Sequence, residues 1–222
     1  MSSAESMSTK RIIAARAEKE VQPGQVINVG IGIPTLILKY LDSEKQAFVH
    51  SENGIIGMGG HCSLAEADRN LIDAGGGYVT MEKGGSFCDS VLSFSLVRCG
   101  RLDIAFLGAL EVSGTGDLAN WIIPGKYSPG IGGGMELAQK ARKLVVTTSH
   151  TNRKGEPKIL DRCTLPITAK ACVDRIITEL AVMDVEDGRL VLKEIAEGAS
   201  LDQVIAKTGT QLIVDEANLR RF

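Results

Sequence analysis

Glu52 and two glycine clusters are the residues in this chain best placed to do chemistry. Glu52 lies in Ser51-Glu52-Asn53-Gly54, directly after Gln46-Ala47-Phe48-Val49-His50, which reads as a buried strand. Gly54, Gly57, Gly59 and Gly60 follow, and with so little side-chain bulk the segment reads as turn-rich. Catalytic groups on α/β frames sit where a strand gives way to a loop, and small neighbours let a substrate come close. A glutamate at a strand end is also a common solvated surface group, so the remainder of the chain has to decide.

The second cluster, Gly130-Ile131-Gly132-Gly133-Gly134, runs straight into a helical stretch from Met135 to Ala141. Glycines ahead of a helix leave backbone N–H groups free as donors and allow close approach by a ligand; the same run also reads as a plain connector. A third element is Val26 to Val29, a short strand leading into Gly30-Ile31-Gly32-Ile33-Pro34, with Pro34 at the first position of a helix through Thr35 to Leu41. Strand, glycine turn and helix start together suit a phosphate or carboxylate. A dinucleotide fingerprint fails here, because Thr35 stands where the third glycine belongs.

A glutamate with an ordinary pKa of about 4.3 is ionised but weakly nucleophilic. Held at attack distance from an activated acyl group, it gains roughly 7–11 kcal/mol from effective molarity. The tetrahedral oxyanion then needs preorganised N–H donors, each worth about 2.7–4 kcal/mol, and a glycine run can supply them. His50 and Ser51 adjoin Glu52, but alternation along a strand argues against a serine triad. His150 and Asp161 fall among loop signals and read as solvated or structural.

These groups need a frame. Ile13, Ala17 and Val21 repeat at helical spacing within residues 9–21, and Pro23-Gly24 ends that helix. Ala65 to Leu71 reads as a helix, Asp73 to Gly77 as a turn and Tyr78 to Met81 as a strand. Ser86 to Ser90 opens a helical segment with Val91, Phe94 and Val97 on one face, ending near Gly100. Leu102 to Leu107 is apolar without alternation, as for a strand covered on both faces of a mostly parallel sheet. Gly114 to Asp117 reads as a turn between strands, Leu144 to Thr148 as a strand and Lys154 to Pro157 as a surface turn. Glu186-Asp187-Gly188 joins Ala181–Val185 and Arg189–Leu192 as a hairpin. Ser200 caps a last helix, and Gln211 to Val214 reads as a final strand. With no repeat or linker, residues 1–222 are expected to form a single α/β domain: an open, mostly parallel sheet with helices on both faces.

Composition narrows the function. A net charge of −2 with mixed signs, 44% apolar and 23% charged residues, exclude a basic nucleic-acid surface and a membrane-binding face. Five irregularly spaced cysteines, with no Cys-x-x-Cys, suit a reducing cytoplasm and neither a disulfide frame nor a zinc site. Three histidines give poor support for a metal site, and no signal-peptide core precedes Lys10.

The ordered motifs are distinctive: Gly-Ile-Gly-Ile-Pro at 30–34, Ser-Glu-Asn-Gly at 51–54, Gly-Asp-Leu-Ala-Asn-Trp at 116–121 and Ile-Pro-Gly-Lys at 123–126. Gly-x-Gly-Gly-x-Met at 130–135 and Cys-Thr-Leu-Pro-Ile-Thr at 163–168 complete the set. With them the chain resembles the B (beta) subunit of the family I CoA-transferases, the group of the 3-oxoacid CoA-transferases, from Asn28 to about Ile195. The resemblance implies that Glu52 is the nucleophile that passes through a mixed anhydride to an enzyme–CoA thioester. It implies that Gly133, with Gly132 beside it, contributes to the oxyanion hole. Asn28 falls on a position that contacts the pantetheine arm in some members, and Gly30, Gly32, Asn53 and Gly54 are expected at the CoA or substrate site. CoA is then a substrate and no cofactor is expected. A separate A (alpha) subunit is implied as partner, as an α2β2 heterotetramer with the site at the A–B interface. Gly76 departs from the lysine of some relatives, and Gly134 from the more usual alanine. Family substrates include acetoacetate, succinate, acetate, butyrate and 3-oxoadipate. The alternatives are an acyl-CoA hydrolase on the same scaffold, a non-catalytic ligand-binding protein and a nicotinamide-dependent oxidoreductase.

Overall fold

Val26–Val29 (β1), the strand that feeds the first glycine pair, lies inside the main sheet of the computed structural model, which describes residues 3–126 and 130–222. The elements in front of the site are the helix Ser3–Glu18 (α1) and the strands Phe48–Ser51 (β2), Ile55–His61 (β3) and Val79–Phe87 (β4), followed by the helix Ser90–Arg98 (α2). Next come Ile104–Leu107 (β5), Glu111–Ser113 (β6), Leu118–Ala119 (β7), the helix Gly134–Lys140 (α3) and Lys143–Thr147 (β8). The rest are Ile159–Leu160 (β9), Arg175–Ile177 (β10), Ala181–Glu186 (β11), Arg189–Ile195 (β12), the helix Leu201–Lys207 (α4), Leu212–Val214 (β13) and Arg220–Arg221 (β14).

The main sheet runs β13-β12-β11-β10-β8-β5-β1-β2-β3-β4, with β14 on β12, and β7-β6-β9 make a small second sheet. The five strands β10, β8, β5, β1 and β2 are parallel. Antiparallel hairpins extend them at both ends. The centre is covered on both faces, which explains the unbroken apolar run of β5. Ile104 and Phe106 pack with Ile13, Ala14 and Ala17 of α1, whereas Ala105 and Leu107 pack with Val97 of α2 and Leu137 of α3. Leu144 and Val146 of β8 face the second group and Val145 the first. No helix among the described residues is long and apolar enough to cross a membrane.

Four local expectations are corrected. Gly54 lies in a turn, but Gly57, Gly59 and Gly60 fall within a strand, β3, and not a loop. It needs glycine because β4 approaches so closely: a Cβ on Gly59 would sit 2.2 Å from Thr80 Oγ1, and one on Gly57 2.9 Å from Gly85 Cα. Register shifts interrupt the β3–β4 ladder near Ile56 and Met58, the irregularity glycine strands accommodate. Ala65–Leu71 is not helical, because Asp68 Oδ1 accepts from Asn70 N and holds a local turn in its place. The helix after Pro34 is a 3-10 turn, Pro34–Lys39. The first helix also begins earlier than its periodicity suggests, at Ser3, and ends at Glu18 with Val21 packing beyond it.

A buried charge cluster closes the opposite, amino-terminal ends of the parallel strands. Glu20 receives Arg16, Arg175 and Lys143 at 2.6–2.8 Å, and its side chain is 5% exposed. Arg16 also bonds Glu194, and Arg175 bonds Asp184. Burial opposes ionisation of Glu20, but the hydrogen bonds from Lys143, Arg16 and Arg175 outweigh it and lower the pKa from 4.5 to about 2. A carboxylate with a depressed folded-state pKa stabilises above its unfolded pKa, and the contribution is lost as pH falls through the folded value. We therefore expect urea unfolding to show about 3 kcal/mol of stability disappearing between about pH 5 and pH 2. Glu20→Gln should flatten that dependence and cost about 3–5 kcal/mol at neutral pH, since three cations lose their carboxylate.

Candidate active site

Glu52 is the first residue of the three-residue connection between β2 and β3, whose last paired residues are Ser51 and Ile55. Gly54 N donates to Ser51 O at 2.9 Å and closes the turn. Gly54 has φ +116°, and a Cβ there would lie 2.0 Å from Cys88 O, so no other residue fits without rebuilding the turn. The hairpin tip is tied down further by Ala74 N donating to Ser51 Oγ and Asn53 Nδ2 donating to Ile72 O. Asn53, expected at the substrate site, thus has a structural partner at 2.8 Å.

The structure brings Glu52, Asn28 and Gly133 together. Asn28 Nδ2 donates to Glu52 Oε2 at 3.0 Å and to His50 O at 3.1 Å, and it lies 3.4 Å from His50 Nδ1. Parallel pairing of β1 with β2 sets Asn28 directly beside His50. A Cβ on Gly133 would sit 3.6 Å from Glu52 Cγ and 2.6 Å from Phe94 Cζ. Glycine at 133 therefore lets the backbone enter the space between Phe94 and the carboxylate. Its N–H has no acceptor among the described residues, and Gly132, at φ +54°, turns the chain just before it. Arg98 of α2 bonds Glu136 of α3 at 2.6 Å, holding the two helices so that Phe94 and Gly133 meet.

The site lies at the carboxyl ends of the parallel strands. β1 leads to β2 on one side, and β5 leads to β8 on the other, so the crevice at their ends is a topological switch point, where open α/β sheets bind ligands. Gly30 and Gly32 differ in what they offer there. Gly30 N donates to Phe106 O at 2.8 Å, and a Cβ on it would meet Leu107 Cδ2 at 3.0 Å, so Gly30 serves the close passage of β1 past β5 and its N–H is taken. Gly32, at φ +99°, has open space where a Cβ would be.

The sequence also concealed partners. His50 stands two residues before Glu52, and the Asn28 amide reaches both, so only Ser51 is set apart from the carboxylate. His50 Nε2 is 2.8 Å from Ser93 Oγ of α2, a contact between residues 43 apart in the chain. Ser93 is fully buried and so acts as an anchor, not a nucleophile. Burial lowers the pKa of His50, with the Glu52 charge pulling the other way. His150 is structural: fully buried, bonded to Thr178 and Thr208, and held near pKa about 4 by desolvation, with Lys207 adding to it. Asp161 is exposed.

The motifs at 116–121 and 163–168 meet as a brace. Thr168 Oγ1 donates to Asn120 Oδ1, and Asn120 Nδ2 donates to Gly108 O just beyond β5. They support the rim of the crevice through its backbone.

Comparison with known proteins bears on the family and the fold. The Coenzyme A transferase family matches residues 10–207. The chain is 48% identical over 203 residues to the "Probable coenzyme A transferase subunit beta" of Bacillus subtilis (strain 168), covering 91% of this chain and 94% of that one. It is 46% identical to the mitochondrial "Succinyl-CoA:3-ketoacid coenzyme A transferase 2A" of Rattus norvegicus, over 89% of this chain but 38% of the rat protein. The crystal structure of the acyl-CoA transferase YdiF apoenzyme from Escherichia coli O157:H7 superposes with a TM-score of 0.76 at 22% identity, covering 96% of this chain and 43% of that one. This last likeness concerns the fold.

Proposed function

The chain belongs to the coenzyme A transferase family, and from that premise we propose that it is the catalytic beta subunit of a transferase that moves CoA from an acyl-CoA to a free carboxylate. The observation that carries this reading is Glu52, held by Asn28 at 3.0 Å and faced by Gly133. Glu52 attacks the thioester carbonyl, and the oxyanion is met by the Gly133 N–H. The carbon–sulfur bond breaks to give CoA thiolate and a mixed anhydride. The thiolate then attacks the glutamyl carbonyl and expels the first acid, leaving a glutamyl–CoA thioester. A second carboxylate attacks that thioester, and the released thiolate takes the new acyl group from the anhydride, restoring Glu52. Every electron pair comes from a carboxylate or a thiolate, so no cofactor is needed.

Both covalent intermediates hydrolyse readily, so the site needs cover. Ile31, Phe87 and Val91 are 75%, 68% and 72% exposed. Ile31 reaches the loop behind the hairpin through Gly75, Phe87 pairs with Ile55, and Val91 lies in the first turn of α2, just after the Cys88–Asp89 backbone that abuts Gly54. An apolar rim of this kind suits a partner subunit. We assign that partner as an alpha chain in an α2β2 assembly, acting in the cytoplasm on succinyl-CoA or acetyl-CoA with an acceptor such as acetoacetate. The hydrolase alternative differs only in what resolves the thioester. The test is loss of acyl-CoA by the co-expressed pair with and without acceptor acid: transferase activity requires the acceptor, whereas acceptor-independent loss identifies a hydrolase.

Gly76 provides a further check. It has φ +83° and open space around a Cβ, so Gly76→Lys costs about 1–2 kcal/mol of backbone strain but has room for its side chain. The expected result is a lower KM for acyl-CoA at low salt that is erased at high salt. An unchanged KM would place the CoA phosphates away from this loop.

A further inference from the structure

The Asn28 amide nitrogen has two hydrogens. One goes to Glu52 Oε2, and the other is shared between His50 O and His50 Nδ1. Nδ1 can occupy that position only as an unprotonated acceptor, which places the ring proton on Nε2, facing Ser93 Oγ at 2.8 Å. The other end of the amide is unsupported: Asn28 Oδ1 is buried and has no hydrogen-bond partner. The orientation of the whole group is therefore decided at its nitrogen, beside His50.

We propose that His50, latched by Ser93 as the Nε2–H tautomer, is a positioning residue that keeps the Asn28 amide turned with its N–H on Glu52. This rests on Glu52 being the nucleophile. With the amide so turned, one carboxylate oxygen is fixed and the other is aimed, the alignment an attack on a thioester requires. A protonated His50 carries donors on both ring nitrogens and would meet the Asn28 N–H donor against donor. The amide would then turn its unpartnered Oδ1 to the ring, withdrawing the N–H from Glu52 and facing it with a carbonyl oxygen.

The surroundings favour the neutral ring. Burial holds the His50 pKa below 6.5, opposed by Glu52. A cavity of about 420 Å³ between α2 and the sheet has His50 in its wall, together with the apolar side chains of Val26 and Leu96. Arg101, Asp103 and Arg142 are the charged groups lining it, and Arg142 is paired with Asp103 at 2.9 Å. The cavity gives protons a path to the ring, so the arrangement should fail in acid.

The test uses the assembled complex with this chain alone labelled with nitrogen-15. At neutral pH the His50 imidazole should show a protonated Nε2 and an acceptor Nδ1; the opposite tautomer overturns the proposal without any mutation. In single-turnover experiments His50→Phe, which keeps a ring but no acceptor, should slow thioester formation on Glu52 roughly 10- to 100-fold with KM for acyl-CoA unchanged. His50→Asn restores an oxygen acceptor near the Nδ1 position and removes the titration. It should recover most of the rate and lose the acid limb seen in the unmodified complex. Equal losses in both variants, with an unaltered pH profile, would show that His50 is merely structural. Absence of any thioester on the unmodified complex would instead refute the nucleophile itself, whatever the tautomer.

Discussion

Glu52→Ala, in complex with the partner subunit, is expected to lose transfer altogether within assay limits while keeping the fold. The side chain is partly exposed at a hairpin tip whose shape is set by Gly54 and Ser51 backbone contacts, so its removal leaves no core cavity. What disappears is the attacking oxygen, and with it both covalent intermediates. Glu52→Asp is the sharper variant. It keeps the charge but withdraws the carboxylate by one methylene, enough to break the 3.0 Å bond from Asn28. A displacement of about 1 Å costs on the order of 100-fold in rate, so the aspartate variant should retain substrate binding and lose kcat by at least that factor. Measured turnover near wild type in either variant would show that another group attacks.

Gly133→Ala is expected to lower kcat by roughly 100- to 1000-fold, the effect of removing one oxyanion donor, with little change in KM. The added methyl would lie 2.6 Å from Phe94 Cζ, closer than atoms can approach, so the ring or the loop must move. Overpacking of this kind costs about 1–3 kcal/mol in stability as well. Phe94→Leu combined with Gly133→Ala separates the two effects, because the smaller side chain leaves room for the methyl. Recovery of stability and of part of kcat in the double variant would show that the backbone N–H had been displaced. Full activity in Gly133→Ala alone would mean that the oxyanion is held elsewhere.

Glutamate, glycine run and strand ends could be recognised from the sequence because each is local. Glu52 follows a short apolar run, Gly133 precedes a helix, and β5 is an apolar block without alternation. The partners of these residues were hidden because they are set by pairing between distant segments. Asn28 meets His50 only through the β1–β2 register, and Phe94 meets Gly133 only through the packing of α2 on α3. The glycines of β3 misled for a physical reason. Glycine marks turns and also strands that pass unusually close to a neighbour, and only the approach of Thr80 and Gly85 decides between them. β10, three residues between Asp174 and Thr178, is too short to show periodicity and owes its place to β8 and β11. That the Gly30 N–H is taken by Phe106 O was likewise hidden, because it depends on the passage of β1 past β5.

The most direct measurement is mass spectrometry of the co-expressed subunits after incubation with acyl-CoA and without acceptor acid, digested and searched for CoA on the peptide containing Glu52. CoA should be found in thioester linkage on Glu52, and an acceptor carboxylate should discharge it as new acyl-CoA. Efficient transfer by a complex whose Glu52 peptide never carries CoA or an acyl group would contradict a covalent route through this side chain.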